Sequence, residues 1–153
     1  MWNKLTIPRF QDRQWVLALV VAPMFWVGYA AFFQPANSRI AVGDLLPFLS
    51  LIFLYPILEE VVFRGFLQGE FLAKDWFRKR ILFLSYANLI TSVLFVLFHL
   101  INYAPVWAIM VFFPSLIFGY FRERYHSIAP SILLHVYYNA GFALLFNGWS
   151  PNV

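Results

Sequence analysis

A chain of 153 residues that is 62% hydrophobic and only 12% charged is not built like a soluble domain, which carries about 25% charged residues. It has no cysteine, which excludes a disulfide framework, a thiolate nucleophile and a Cys-ligated metal. The net charge of +4 sits in short stretches between apolar runs, so it reports membrane topology and not nucleic-acid binding.

Met1 to Arg13 is polar and basic. The apolar run after it is too long for a signal-peptide core, so no cleavable signal peptide is expected. That run, Trp15–Phe33, ends at Gln34-Pro35-Ala36-Asn37. A second begins near Leu45 and reaches about Leu67, a third covers about Ile81–Leu100, a fourth Val106–Phe121 and a fifth Ile128–Phe146. Each approaches the ~20 residues a spanning helix needs. The fourth is the shortest and admits a re-entrant path. Between the second and third, Glu70–Arg80 alternates charges with Phe71, Leu72, Trp76 and Phe77, the pattern of an interfacial amphipathic helix. The expectation is an all-α polytopic transmembrane bundle of about five spans plus that interfacial helix. It forms a single integral-membrane domain over 1–153, with a motif-bearing core at 45–146.

Lys and Arg alternate along the chain: Lys4, Arg9 and Arg13 before the first run, only Arg39 in the first loop, and Lys74, Arg78, Lys79 and Arg80 in the second. The third loop has none, the fourth has Arg122 and Arg124, and the C-terminal tail has none. This asymmetry predicts a cytoplasmic N-terminus and an external C-terminus.

Charges inside the apolar runs come as one group, Glu59, Glu60 and Arg64. Each charge near a bilayer centre costs at least about 2.5–3.5 kcal/mol, so such residues mark function. Glu60 and Arg64, four apart, share a helix face and are expected to pair. Glu59 lies about 100° away round the helix and has no partner there. His99 and His135 in the third and fifth runs are its natural partners, and Asn139 faces the same way as His135. Pro56 removes a backbone donor three residues before Glu59, so a kink and a freed carbonyl are expected. His99 comes out nearer the outer surface than Glu59 and His135, which requires a later start to the third helix, or tilted or broken helices.

Glu59-Glu60-x-x-x-Arg64, Phe95-x-x-x-His99 and His135-x-x-x-Asn139 resemble, in order and separation, the three motifs of the CPBP family of type II CAAX prenyl endopeptidases and bacteriocin-processing proteins. The resemblance runs from about Leu54 to Ala140, and the chain is shorter than the eukaryotic members of roughly eight spans. It implies a glutamate-dependent intramembrane protease. In that reading Glu59 activates water with help from His99, His135 and Asn139 stabilise the oxyanion, and Glu60 and Arg64 shape the site. No cofactor or metal is implied.

Other intramembrane proteases fit poorly. No Ser inside an apolar run has Gly two residues before it, Asp12, Asp44 and Asp75 lie in loops, and His-Glu-x-x-His is absent. A zinc site from Glu59, His99 and His135 stays open, since two His and one Glu form a recognised catalytic set. So do a proton-coupled carrier and a non-catalytic immunity or interaction protein. The expected partners are the lipid bilayer and a membrane-associated protein or peptide substrate, such as a leader or a C-terminal sorting tail, with no nucleic acid. The short chain and its charge asymmetry suggest a bacterial inner (plasma) membrane.

Overall fold

A computed structural model describes residues 7, 8, 10–32 and 45–146. The expected roles of Lys4, Arg9, Arg39 and the C-terminal tail lie outside these residues. Among those described, the chain forms α1 (Arg13–Phe32), a long helix α2 (Leu45–Leu72), a short α3 (Asp75–Arg78), a hairpin of β1 (Arg80–Ile81) and β2 (Leu84–Ser85), then α4 (Tyr86–His99), α5 (Pro105–Met110), α6 (Phe112–Tyr125) and α7 (Ala129–Phe146). Two stretches are long and apolar enough to cross a membrane: Leu45–Leu72, of 28 residues, and Pro105–Tyr125, of 21. Their outward faces expose Leu46, Phe66, Val106 and Phe113, as a lipid-facing surface does.

Two expectations are corrected. The third helix starts at Tyr86, not near Ile81, because residues 80–85 fold into an antiparallel hairpin pairing Arg80 with Ser85 and Ile81 with Leu84. Ser85 Oγ then caps the helix, accepting the Asn88 N–H at 3.0 Å. At 14 residues, α4 is about 21 Å long, short of a ~30 Å hydrocarbon core. The interfacial helix expected over Glu70–Arg80 is divided instead. Gln68–Leu72 continues α2, Lys74 is extended, and only Asp75–Arg78 makes a separate turn. The fourth run is interrupted at Val111, because Pro114 has no N–H for the carbonyl four residues back.

Helix α7 is the hub. It packs on α6, α1 and α2. Against α1 and α6 it buries Trp15, Ala18, Phe118, Phe121 and Leu134, with Trp15 edge-on to Phe121 at 5.3 Å. Pro23 leaves the carbonyl of Leu19 without its helical donor. Tyr137 and Tyr138 of α7 donate to Leu19 O at 3.2 Å and Ala18 O at 2.7 Å. At the other end of α6, His126 takes a left-handed conformation, φ 50°, and its N–H bonds to Arg122 O. Asp12 ties α1 to this end. It accepts from Arg124 Nε at 3.0 Å, from the Tyr125 hydroxyl, and from the Gln14 N–H.

Two predictions follow from these contacts. A Cβ on Gly119 would lie 2.0 Å from Asn88 Oδ1. The Asn88 amide cannot yield easily, because it donates to Leu116 O at 3.0 Å and accepts from Ser92 Oγ at 3.2 Å. Gly119→Ala should therefore cost about 1–3 kcal/mol, read as a lowered melting midpoint in detergent. The Tyr125 hydrogen bond, with help from Arg124 and against partial burial, lowers the Asp12 pKa from 3.8 to about 2. A lowered pKa contributes stability that is complete above the unfolded value and drains away as pH falls through the folded one. Acid unfolding should therefore have a component between about pH 4 and pH 2 that Asp12→Asn removes.

Candidate active site

Helix α2 carries the acids, and its backbone is irregular on both sides of them. Two π-helical stretches, Ser50–Leu54 and Val61–Leu67, flank the α-helical turns Tyr55–Glu60. Pro56 explains the first. Tyr55 N–H bonds five residues back to Ser50 O. In that register the carbonyl of Leu51 falls to residue 56, a proline without an N–H. Asn139 of α7 fills the gap, its Nδ2 donating to Leu51 O at 3.2 Å. The expected freed carbonyl is present, and it positions a motif residue.

Glu60 and Arg64 are fully buried, and Arg64 Nε lies 3.3 Å from Glu60 Oε2. The contact is ionic, with the N–H not aimed squarely at the oxygen. Arg64 is held mainly by its other end, Nη2 donating to Ser115 O at 3.0 Å and Ser115 Oγ at 2.6 Å, with its guanidinium 5.5 Å from the centre of the Phe95 ring. The free oxygen of Glu60 reaches α7, where Oε1 lies 2.9 Å from His135 Nδ1. The other ring nitrogen, Nε2, is 3.6 Å from Glu59 Oε2. His135 thus stands between the two glutamates, and Glu59 finds on α7 the partner its own helix lacks.

His99 ends α4. Its Nδ1 lies 2.9 Å from Phe95 O. A carbonyl only accepts, so Nδ1 carries the proton and Nε2 is a bare acceptor in the neutral ring. The later start of α4 does not move His99 away from the acids. Glu59, His99, His135 and Asn139 all line one cavity of about 290 Å³. Glu60 and Arg64 do not line it and stand behind it. Aromatic side chains form most of the remaining wall, among them Trp26, Phe95, Trp107 and Phe142. Among the described residues no three of His, Cys, Asp and Glu are close enough together to hold a metal ion.

Sequence reasoning missed two sets of residues. Tyr55 and Tyr103 also line the cavity, and Tyr103 packs beside His99 with ring centres 5.5 Å apart. Burial, then the Glu59 carboxylate and Tyr55, raise the Tyr103 pKa, so its phenol stays a proton donor. The second set is a buried polar seam between α2 and α6. Gln68 Nε2 donates to Gly119 O at 3.1 Å and to Glu123 Oε1 at 2.8 Å. Glu123 also accepts from the Ser85 hydroxyl and from Arg80 Nη2 at 3.2 Å. Glu123 had looked like part of a basic loop, yet it is 8% exposed. The signal was present, since Glu60, Arg64 and Gln68 are spaced by four, as are Ser115, Gly119 and Glu123.

The span that carries these residues matches a known family. The family model for type II CAAX prenyl endopeptidase Rce1-like proteins matches residues 40–141, about two thirds of the chain. The chain belongs to this family. No curated protein and no solved structure matches it. Rce1-like proteins are membrane-embedded proteases of CAAX type, and the long apolar helices of this chain suit that setting.

Removing one partner of the buried pair leaves the other charged and desolvated. Arg64→Ala should cost roughly 3–5 kcal/mol, while Ser115→Ala, which deletes one of two acceptors, should cost about 1.5–3 kcal/mol. Melting midpoints and yields in one detergent test the ranking. A fully stable Arg64→Ala protein would remove the ion pair from the list of structural supports.

Proposed function

We propose that this Rce1-like protein is a glutamic-type intramembrane endopeptidase that hydrolyses a peptide bond of a membrane-associated protein or peptide, a leader or a C-terminal tail. One observation carries the reading. Four side chains able to handle a proton or an oxyanion come from three helices to one cavity, with a buried ion pair behind them.

In this mechanism a water sits between Glu59 and the bare Nε2 of His99, giving one hydrogen to each acceptor. Its lone pair is then turned toward the substrate carbonyl. Attack forms the C–O bond, and the water proton passes to Glu59. Asn139 spends one N–H on Leu51 O and keeps the other for the oxyanion. His135 donates Nδ1–H to Glu60, so a neutral ring would meet the oxyanion with a bare Nε2. It joins Asn139 as a donor in its doubly protonated form. That form completes a neutral set, in which Arg64 and His135 balance Glu59 and Glu60. Collapse of the tetrahedral intermediate breaks the C–N bond, and Glu59 returns its proton to the leaving amine. Glu60 and Arg64 act by holding the His135 ring. Tyr103 is a further donor within the cavity wall.

The membrane setting completes the proposal. About five helices cross or enter a bacterial plasma membrane, with the N-terminus cytoplasmic and the C-terminus outside. The apolar cavity wall suits a substrate segment delivered from lipid.

Glu59→Gln keeps size and shape and removes the base. In proteoliposomes presenting candidate tail-anchored or leader-bearing substrates, it should slow cleavage at least about 10²-fold at unchanged melting midpoint. Activity should survive strong chelation. A Gln variant that cleaves at the parental rate would displace Glu59 as the base. Chelator-sensitive activity restored by zinc would point to zinc-dependent hydrolysis through the same side chains.

A further inference from the structure

The hairpin between α3 and α4 breaks a local rule. Ile81 pairs with Leu84, so Leu82 and Phe83 are its two-residue loop. Leu82 has φ 56°, whereas Phe83 has no positive φ. This is the pattern of a type II′ turn, whose first central position favours glycine. A leucine there is strained, and it is also 87% exposed. Phe83 beside it is 61% exposed, Ile81 54% and Trp76 55%. Strain and exposure at one residue mean that neither the turn nor the core selects the side chain.

In the stretch that leads to this apolar tip, basic residues outnumber acidic ones. Lys74, Arg78, Lys79 and Arg80 are all exposed, against Asp75 and, at the end of α2, Glu70. Arg78 lies 3.5 Å from Asp75 between two exposed side chains, a weak surface contact. Lys74 and Lys79 have no ion pair among the described residues. Arg80 has a structural task. Its Nη1 donates to Phe83 O at 3.3 Å and its Nη2 to the buried Glu123 at 3.2 Å, which clamps the turn to the base of α6. The tip is therefore held out on a rigid mount.

We propose that this hairpin is a binding element for an anionic phospholipid surface, with Leu82 and Phe83 wedged among the acyl chains and Lys74 and Lys79 on the phosphates. An apolar tip inside a basic rim fits that surface chemically. Neither water nor an uncharged protein face would reward both halves. The element is independent of the peptidase chemistry, so it stands or falls apart from it.

The chain has no cysteine, so Leu82→Cys, or Phe83→Cys if the first folds poorly, accepts a single polarity-sensitive fluorophore on the full-length protein. In nanodiscs containing phosphatidylglycerol the label should emit to the blue and be quenched by shallow spin-labelled lipid. In phosphatidylcholine alone both effects should be much smaller. In detergent, the response to titrated phosphatidylglycerol should weaken about 30-fold in the double variant Lys74→Gln, Lys79→Gln, the scale of two surface lysines. Leu82→Gly, read with the label at Phe83, should keep the fold because the turn favours glycine, yet lose most of the quenching. Water-like emission in every lipid would overturn the proposal. Equal burial in both lipids, unmoved by the lysine changes, would reduce the tip to an ordinary lipid-facing turn and overturn it as well. Burial in lipid-free detergent that rises with protein concentration would assign the tip to a second copy of the chain instead.

Discussion

Glu60 is the constraint on which the site depends. Its carboxylate has no exposure and sits among groups from three helices: Arg64 on its own helix, which is anchored by Ser115 of α6, and His135 on α7. An isolated carboxylate could not stay ionised in such a place. Its two partners must therefore be present together, and their geometry passes on to everything they touch. Arg64 fixes how close α2 comes to α6. His135 is fixed in ring orientation, and through its far nitrogen it sets where Glu59 can stand. The side chain that does no chemistry in the proposed mechanism thus locates the one that does.

The same economy appears where prolines interrupt helices. Pro23 and Pro56 each leave a carbonyl that its own helix cannot satisfy. In lipid such a group costs several kcal/mol unless protein reaches it. Tyr137 and Asn139 of α7 answer with side-chain donors to Leu19 O and Leu51 O, and Tyr138 between them adds a bond to Ala18 O. A break in α1 and another in α2 thus dock both helices onto α7. Asn139 is held by one of its two N–H groups, which leaves the other free without leaving the side chain loose.

Much of the site was legible in the sequence because membrane charges are expensive and therefore few. Glu59, Glu60, Arg64, His99, His135 and Asn139 stand out against apolar neighbours, and four of them do meet at one cavity. The Glu60–Arg64 pair followed from spacing alone. Less legible were features that depend on which backbone group is left over. Hydropathy cannot tell a helix end from a hairpin when both are rich in Leu, Ile and Phe, so residues 80–85 read as the start of α4. Glu123 was hidden because Arg122 and Arg124 flank it and make the segment look solvated. Only the rotation of α6 separates the buried carboxylate from its exposed neighbour.

The π-helical stretch Val61–Leu67 gives the polar stripe its reach. An α-helix turns about 100° per residue, so residues four apart drift about 40° round the axis, and Gln68 would drift about 80° from Glu60. A π turn holds more residues, which reduces that drift and keeps Glu60, Arg64 and Gln68 nearer one line. All three are fully buried, and Arg64 and Gln68 meet the matching series Ser115, Gly119 and Glu123 on α6. A regular helix would rotate the far end of the stripe toward lipid, where an amide or guanidinium is costly. The irregular backbone is thus tied to the polar chemistry it carries. It holds a polar seam inside the bundle from the β1–β2 hairpin, through Glu123, Gln68 and Arg64, to the glutamates at the cavity.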